Sequence, residues 1–153
     1  RDGVAGLGPA GFLWDMPANE EYWCAMAQGE QPASGLIVCE VEDRIVGFAC
    51  YGSARPPSFG YSGELYATYF LPSAIGKGYG AATMRTAMTA LARLGHADMV
   101  LWVMEQNVRG QRFYQRAGGV VLPDSRRSLS IHEATIWEIA YGFRPLPASP
   151  ATR

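Results

Sequence analysis

Charge is scarce in this chain, and so are the residues that build metal sites and disulfide frameworks. Only 18% of its 153 residues are charged, and 14 acidic residues nearly cancel 13 basic ones, for a net charge of −1. That balance gives no electrostatic footprint for nucleic acid or an anionic membrane as the main partner. Histidine occurs twice, and cysteine three times, at Cys24, Cys39 and Cys50. The number is odd, and the spacings match neither a zinc site nor a disulfide framework. Buried thiols in a reducing cytosol are expected, with no metal and no nucleophilic cysteine, since no histidine or basic residue adjoins one. No apolar run approaches the roughly 18 residues that span a bilayer. No signal peptide is visible, although the chain opens on Arg1 rather than methionine. A cytoplasmic protein without a membrane partner is expected.

What is present is enough apolar material for a core. Hydrophobic residues make up 48% of the chain, so it should fold as one domain over residues 1–153. Residues 1–18 are rich in Gly, Ala and Pro and show no strand period. Asn19 caps an expected short helix with Trp23, Met26 and Ala27 on its buried stripe, and Gly29 ends it. Strands are expected over 36–41, 44–51 and 64–71, the first two joined by a polar turn at Glu42-Asp43. Met84, Ala87, Met88 and Leu91 then share one face of a long helix that Gly95 stops. Met99–Val103 reads as a buried central strand, 107–117 as a helix, and 120–122 with 135–141 as a closing pair of strands. The tail from Arg144 reads as loose. The expected fold is an α/β or α+β sandwich with a mixed sheet.

The most informative feature is Ile75-Gly76-Lys77-Gly78-Tyr79-Gly80-Ala81-Ala82, at a strand-to-helix junction. Glycines without Cβ let successive N–H groups turn inward toward an anion, and the following helix points its positive end at the same spot. Such a loop alone is weak evidence for a diphosphate site. A second motif follows at the next junction, Asn107-Val108-Arg109-Gly110-Gln111-Arg112-Phe113-Tyr114-Gln115-Arg116-Ala117-Gly118-Gly119.

With both motifs in register, the chain resembles the GNAT superfamily of N-acetyltransferases from about residue 20 to residue 141. Those proteins carry Gln/Arg-x-x-Gly-x-Gly/Ala at the first motif and Asn-x-x-Ala-x-x-x-Tyr-x-x-x-Gly-Phe at the second. Here Ile75 stands for the Gln or Arg, Gly110 for the alanine and Gly119 for the phenylalanine. The resemblance implies a mostly antiparallel sheet flanked by helices, with a splayed strand pair that holds acetyl-CoA. Members usually open with a further strand and helix, of which residues 1–18 show no pattern. An exposed sheet edge then invites a partner chain, and homodimers are common among relatives.

The resemblance also implies acetyl transfer from acetyl-CoA to an amine, with no metal. An amine of reference pKa near ~10.4 is almost wholly protonated at neutral pH, so a base must take its proton. Glu64, eleven residues before Ile75, is the candidate base; its alternatives are a solvent-facing carboxylate or a partner for Arg55. Tyr66 shares its sheet face and is expected to line the acceptor pocket. Tyr114 matches the family tyrosine and is the candidate acid toward the departing sulfur, or else a core aromatic beside Phe113. Backbone groups of Thr68, Tyr69 and Phe70 are expected along the pantetheine arm. Gly76, Lys77, Gly78, Gly80 and Ala81 are expected around the diphosphate. Asn107 binds the arm, caps its helix, or both. Lys77, Arg109 and Arg112 are partners for the remaining phosphate or ordinary surface charges. Glu105 and His132 are weaker candidates for the base, and His96 reads as a turn residue. Trp14, Trp23, Phe59, Tyr61 and Trp137 are expected as core or pocket walls. The leading acceptor is a small-molecule amine. The runners-up are a protein N-terminus or lysine, and a non-catalytic acyl-CoA sensor.

Overall fold

The computed structural model describes residues 34–131 and 133–147. The expected helix from Asn19, with Trp14, Trp23 and Cys24, lies outside the described residues, and so does His132. Seven strands form one sheet: β1 (Gly35–Val41), β2 (Arg44–Ser53), β3 (Gly63–Phe70), β4 (Met99–Met104), β5 (Val120–Val121), β6 (Arg127–Ile131) and β7 (Ala134–Phe143). Helix α1 (Tyr79–Arg93) joins β3 to β4, and α2 (Val108–Arg116) joins β4 to β5. No helix among the described residues is long and apolar enough to cross a membrane.

The β1–β2 hairpin turns on Glu42 and Asp43, both at positive φ, the two-residue turn whose twist suits flanking strands. Spatial order is β1-β2-β3-β4-β7-β5, antiparallel except where β3 meets β4. Those two strands pair only over Gly63–Leu65 and Met99–Leu101, then diverge. Past Leu65, the β4-facing edge of β3 has no ladder partner among the described residues, which matches the splay that the resemblance implies.

Helix α1 buries the face read from its period. Met84, Ala87, Met88 and Leu91 pack with Leu65, Met99 and Leu101 in one core. Both helices end in a glycine at positive φ, Gly95 and Gly118. After α2 the Gly118 N–H bonds the Gln115 carbonyl and the Gly119 N–H the Tyr114 carbonyl, so the final turn closes on itself.

Three expectations are corrected. The closing strands are not a simple pair: β6 is a separate strand hairpinned to β7, and β5 and β6 lie end to end along one edge of β7. Ser125 fills the gap between them, its hydroxyl accepting the Ala140 N–H at 3.0 Å. The tail is not loose at its start. Arg144 Nε donates to Asp98 Oδ2 at 2.8 Å, and buried Leu146 bonds the Ala97 carbonyl through its N–H. Trp137 is no core residue; it is 40% exposed under the Arg126 guanidinium.

Candidate active site

The glycine loop is built to leave space. Gly76 and Gly78 adopt φ of +81° and +85°, and an added Cβ at either would meet nothing within 4 Å. Gly78 is also the N-cap of α1 and offers no side chain to its N–H groups. The first turn of α1 therefore presents unsatisfied donors into an open concavity. Phe113 closes the inner side, 3.6 Å from where a Gly80 Cβ would stand.

Helix α2 supplies the opposite wall. Asn107 caps it, its Oδ1 accepting the Gly110 N–H at 2.9 Å. A Cβ on Gly110 would lie 2.4 Å from Asn107 Nδ2, which explains glycine at this place. Gly119 is explained as well: its Cβ would strike the Phe143 ring at 2.6 Å and the Tyr114 carbonyl at 2.9 Å. Phe143 from β7 fills that space.

Tyr114 is half-buried, its ring against Phe113 and Tyr141. Burial pushes its hydroxyl up to about 12; the neighbouring Thr68 hydroxyl opposes that shift and Tyr69 adds to it. Tyr114 thus keeps its proton across the neutral range. Thr68 Oγ1 is buried without a hydrogen bond of good geometry, a polar atom facing the splay with capacity to spare.

Across the splay stands Glu64, 1% exposed. Arg55 grips it through three bonds: its N–H to Oε1 at 2.9 Å, Nε to Oε2 at 3.2 Å and Nη2 to Oε2 at 2.6 Å. The Arg55 guanidinium also lies over the Tyr66 ring at 4.4 Å, and the Tyr66 hydroxyl donates to the Ser53 carbonyl. A carboxylate offers about four lone-pair sites, so one remains for a further donor.

Strand register explains why these groups meet. Glu64 aligns with Val100 on β4; Trp102 and Met104 follow at the strand period of two and align with Ala140 and Glu138 on β7. Arg127 and Leu129 on β6 face Glu138 and Ile136. Glu64, Trp102, Glu138 and Arg127 therefore share the sheet face opposite the helical core. Where β3 and β4 part, that face communicates with the helix side. One cavity of about 880 Å³ runs through the gap, lined by Gly76, Gly78, Gly80, Ala81, Thr68, Asn107 and Tyr114 at one end and by Glu64, Trp102, Arg127 and Glu138 at the other. That volume is near the upper end for small-ligand pockets and has room for two reactants.

The structure thus gathers Glu64, Tyr114, Thr68, Tyr69, Phe70, Gly76, Gly78, Gly80, Ala81, Asn107 and Arg109 on one cavity wall. Lys77 and Arg112 stand exposed outside it. Glu105 is off the wall too, paired with Arg126 at the surface. Cys50 is buried, with burial pushing its thiol up to about 12, whereas Cys39 is only half-buried. Phe59 packs on the cavity-lining Trp102, and Tyr61 lies against Gly142 under Arg144. Sequence reasoning missed Arg116, Trp102, Arg127, Leu129, Ile136 and Glu138. The alternation Arg127-Ser128-Leu129-Ser130-Ile131 was the available signal for β6.

Comparison with known proteins agrees with this architecture. The model of the acetyltransferase (GNAT) family matches residues 8–119, and the chain belongs to that family. YuaI of Bacillus subtilis, an uncharacterised N-acetyltransferase, is 38% identical over 74 residues; the match covers 48% of this chain and 43% of YuaI, less than half of that relative. The fold is similar to that of YncA from Salmonella typhimurium, whose structure holds its cofactor acetyl-CoA: TM-score 0.67, 19% identity, 97% of this chain and 83% of that one. It is also similar to ribosomal-protein-alanine N-acetyltransferase from Brucella melitensis: TM-score 0.69, 17% identity, 88% and 81% covered.

Proposed function

We propose that this protein is an N-acetyltransferase that moves the acetyl group of acetyl-CoA onto the amine of a small molecule. The observation that carries the reading is the single cavity through the β3–β4 splay, with the glycine cradle and Tyr114 at one end and Glu64 at the other. The residues present fit acetyl-CoA. The N–H groups of 76–81 suit its diphosphate, and the unpaired edge of Thr68, Tyr69 and Phe70 suits an amide-bearing arm laid like a strand. Asn107, Arg109 and Arg116 line the same cavity; Asn107 would border that arm and the two arginines would supply positive charge beside it.

Bound acetyl-CoA supplies an activated acetyl group on a thioester. Glu64 accepts the proton that the amine nitrogen gives up as it bonds the acetyl carbon, through the lone-pair site that Arg55 leaves open. Tyr114 holds a proton on its hydroxyl and passes it to the sulfur as the carbon–sulfur bond breaks. The Arg55 contacts fix the Glu64 carboxylate in one orientation, so it needs no reordering when the amine arrives.

Thiol release from acetyl-CoA across an amine panel tests this. Amine-dependent release is expected, and Glu64→Gln should lower kcat/KM by about 10²–10⁴-fold while still binding acetyl-CoA. Tight binding with no turnover on any amine would make the protein an acyl-CoA sensor instead. Turnover only on peptide N-termini or lysines would move the acceptor to proteins.

A further inference from the structure

The acceptor end of the cavity contains a second ion pair that the proposed chemistry does not use. Arg127 Nε donates to Glu138 Oε1 at 2.5 Å, and the guanidinium lies 3.5 Å from the centre of the Trp102 ring. Glu138 is buried, and all three residues line the cavity. The guanidinium is held at one edge by a carboxylate and on one face by an indole. Its two terminal amino groups make no hydrogen bond to any described residue. A planar fork fixed in this way, with its outer donors unused, is the arrangement that receives a carboxylate through two parallel bonds.

From this arrangement we infer that the acceptor amine also carries a carboxylate, which Arg127 binds. The inference rests on the acetyl-transfer reading and adds the acceptor's chemical class. Charge supports it. Arg55 with Glu64 and Arg127 with Glu138 sum to zero at this end, so a dipolar acceptor meets a carboxylate where its nitrogen reacts and a guanidinium where its anion lies. A purely cationic polyamine would leave the free face of Arg127 opposed by like charge. A neutral amine would leave its outer donors to solvent alone, beside the apolar side chains of Leu129, Ile136 and Trp102. Arg127 is thus a specificity-determining residue, rigidified by Trp102 and Glu138.

The test compares matched pairs, each an amino acid and the amine left when its carboxylate is removed: phenylalanine with phenethylamine, and 4-aminobutanoate with propylamine. Each ratio of kcat/KM is taken within one form of the protein and compared between forms, so differences in intrinsic amine basicity cancel. The parent should favour the carboxylate member, and Arg127→Gln should cut that ratio about ten- to a hundredfold, mainly through KM. Arg127→Lys keeps the charge without the fork and should retain part of the preference. It carries the test alone if the Gln variant does not fold. Acetyl-CoA affinity should be the same in all three. The inference is overturned if the parent turns over both members equally well, if the ratio survives Arg127→Gln, or if the variants lose acetyl-CoA affinity instead of acceptor preference. Absence of turnover on every amine overturns the acetyl-transfer reading itself, a different result from turnover without preference.

Discussion

Tyr114 and Glu64 line one cavity through the splay, and their surroundings differ in the way the proposed acid and base roles require. Tyr114 sits among aromatic rings that hold its proton in place. Glu64 sits among three donors from Arg55 that fix its orientation and leave one acceptor direction open. Tyr114→Phe removes only a hydroxyl from a packed ring, so acetyl-CoA affinity should hold within about twofold while kcat falls about ten- to a hundredfold; stopped-flow thiol release read beside calorimetric binding checks both. Equal kcat would remove the acid role. Arg55→Ala should do more harm than a surface charge normally does, because it strips both side-chain donors from the buried Glu64 carboxylate and leaves it only the N–H of residue 55. A loss of about 1–3 kcal/mol of stability is expected, since the Arg55 side chain is itself mostly exposed, and urea unfolding measures it.

At the level of elements, the junction between β3 and α1 is the most demanding stretch. Its glycines hold backbone angles that other residues enter at a cost of about 1–2 kcal/mol. Gly78→Ala should therefore destabilise by about that amount and, more tellingly, raise KM for acetyl-CoA, since the new methyl enters the open cradle. A variant with unchanged acetyl-CoA affinity would show that the diphosphate lies elsewhere. This junction was readable because its signals are local: glycine spacing, a preceding strand ended by Pro72 and a helical period after it. The α2 motif was readable for the same reason, down to the Asn107 cap. β6 was harder to read, because its alternation runs for only five residues with two apolar positions, and its place depends on β7 across the turn. With β6 unread, the pairing of Arg127 with Glu138 was unreadable too, and with it one end of the cavity.

The whole molecule stores a pH dependence in its buried groups. Cys50, Tyr69 and Tyr114 all have pKa values raised by burial to about 12, from 9.0 for the thiol and 10.0 for the phenols. Between those values the unfolded chain releases protons that the fold retains. Stability present below pH 9 should thus fall progressively toward pH 12, seen as a falling urea midpoint. Tyr114→Phe should flatten that decline. Asp98 works in the opposite range. Burial alone would raise its carboxyl, but the Ser62 N–H, Arg144 and the Ser62 hydroxyl outweigh it and hold the pKa below 3.8. Its contribution is present above that value and lost as pH falls through the lowered one. Asp98→Asn should cost about 1–3 kcal/mol and free the segment from Arg144 to Pro147, with faster amide exchange at Leu146 as the reporter.

The sequence by itself determined the family and the strand–loop–helix junction, and it singled out Glu64, Tyr114 and Asn107, which the structure gathers on one cavity wall, because each rests on spacing within a few residues or one helical turn. Tertiary structure decided what surrounds them. The splay between β3 and β4 exists because their pairing stops after Leu65 and Leu101, and no local pattern encodes where a parallel ladder ends. Glu138 on β7 and Arg127 on β6 reach the cavity only through sheet register, and of the alternatives for Glu64 it was the structure that chose the pairing with Arg55. Side chains far apart in the chain share a face when their strands align, and alignment is a property of the packed sheet, not of any one strand.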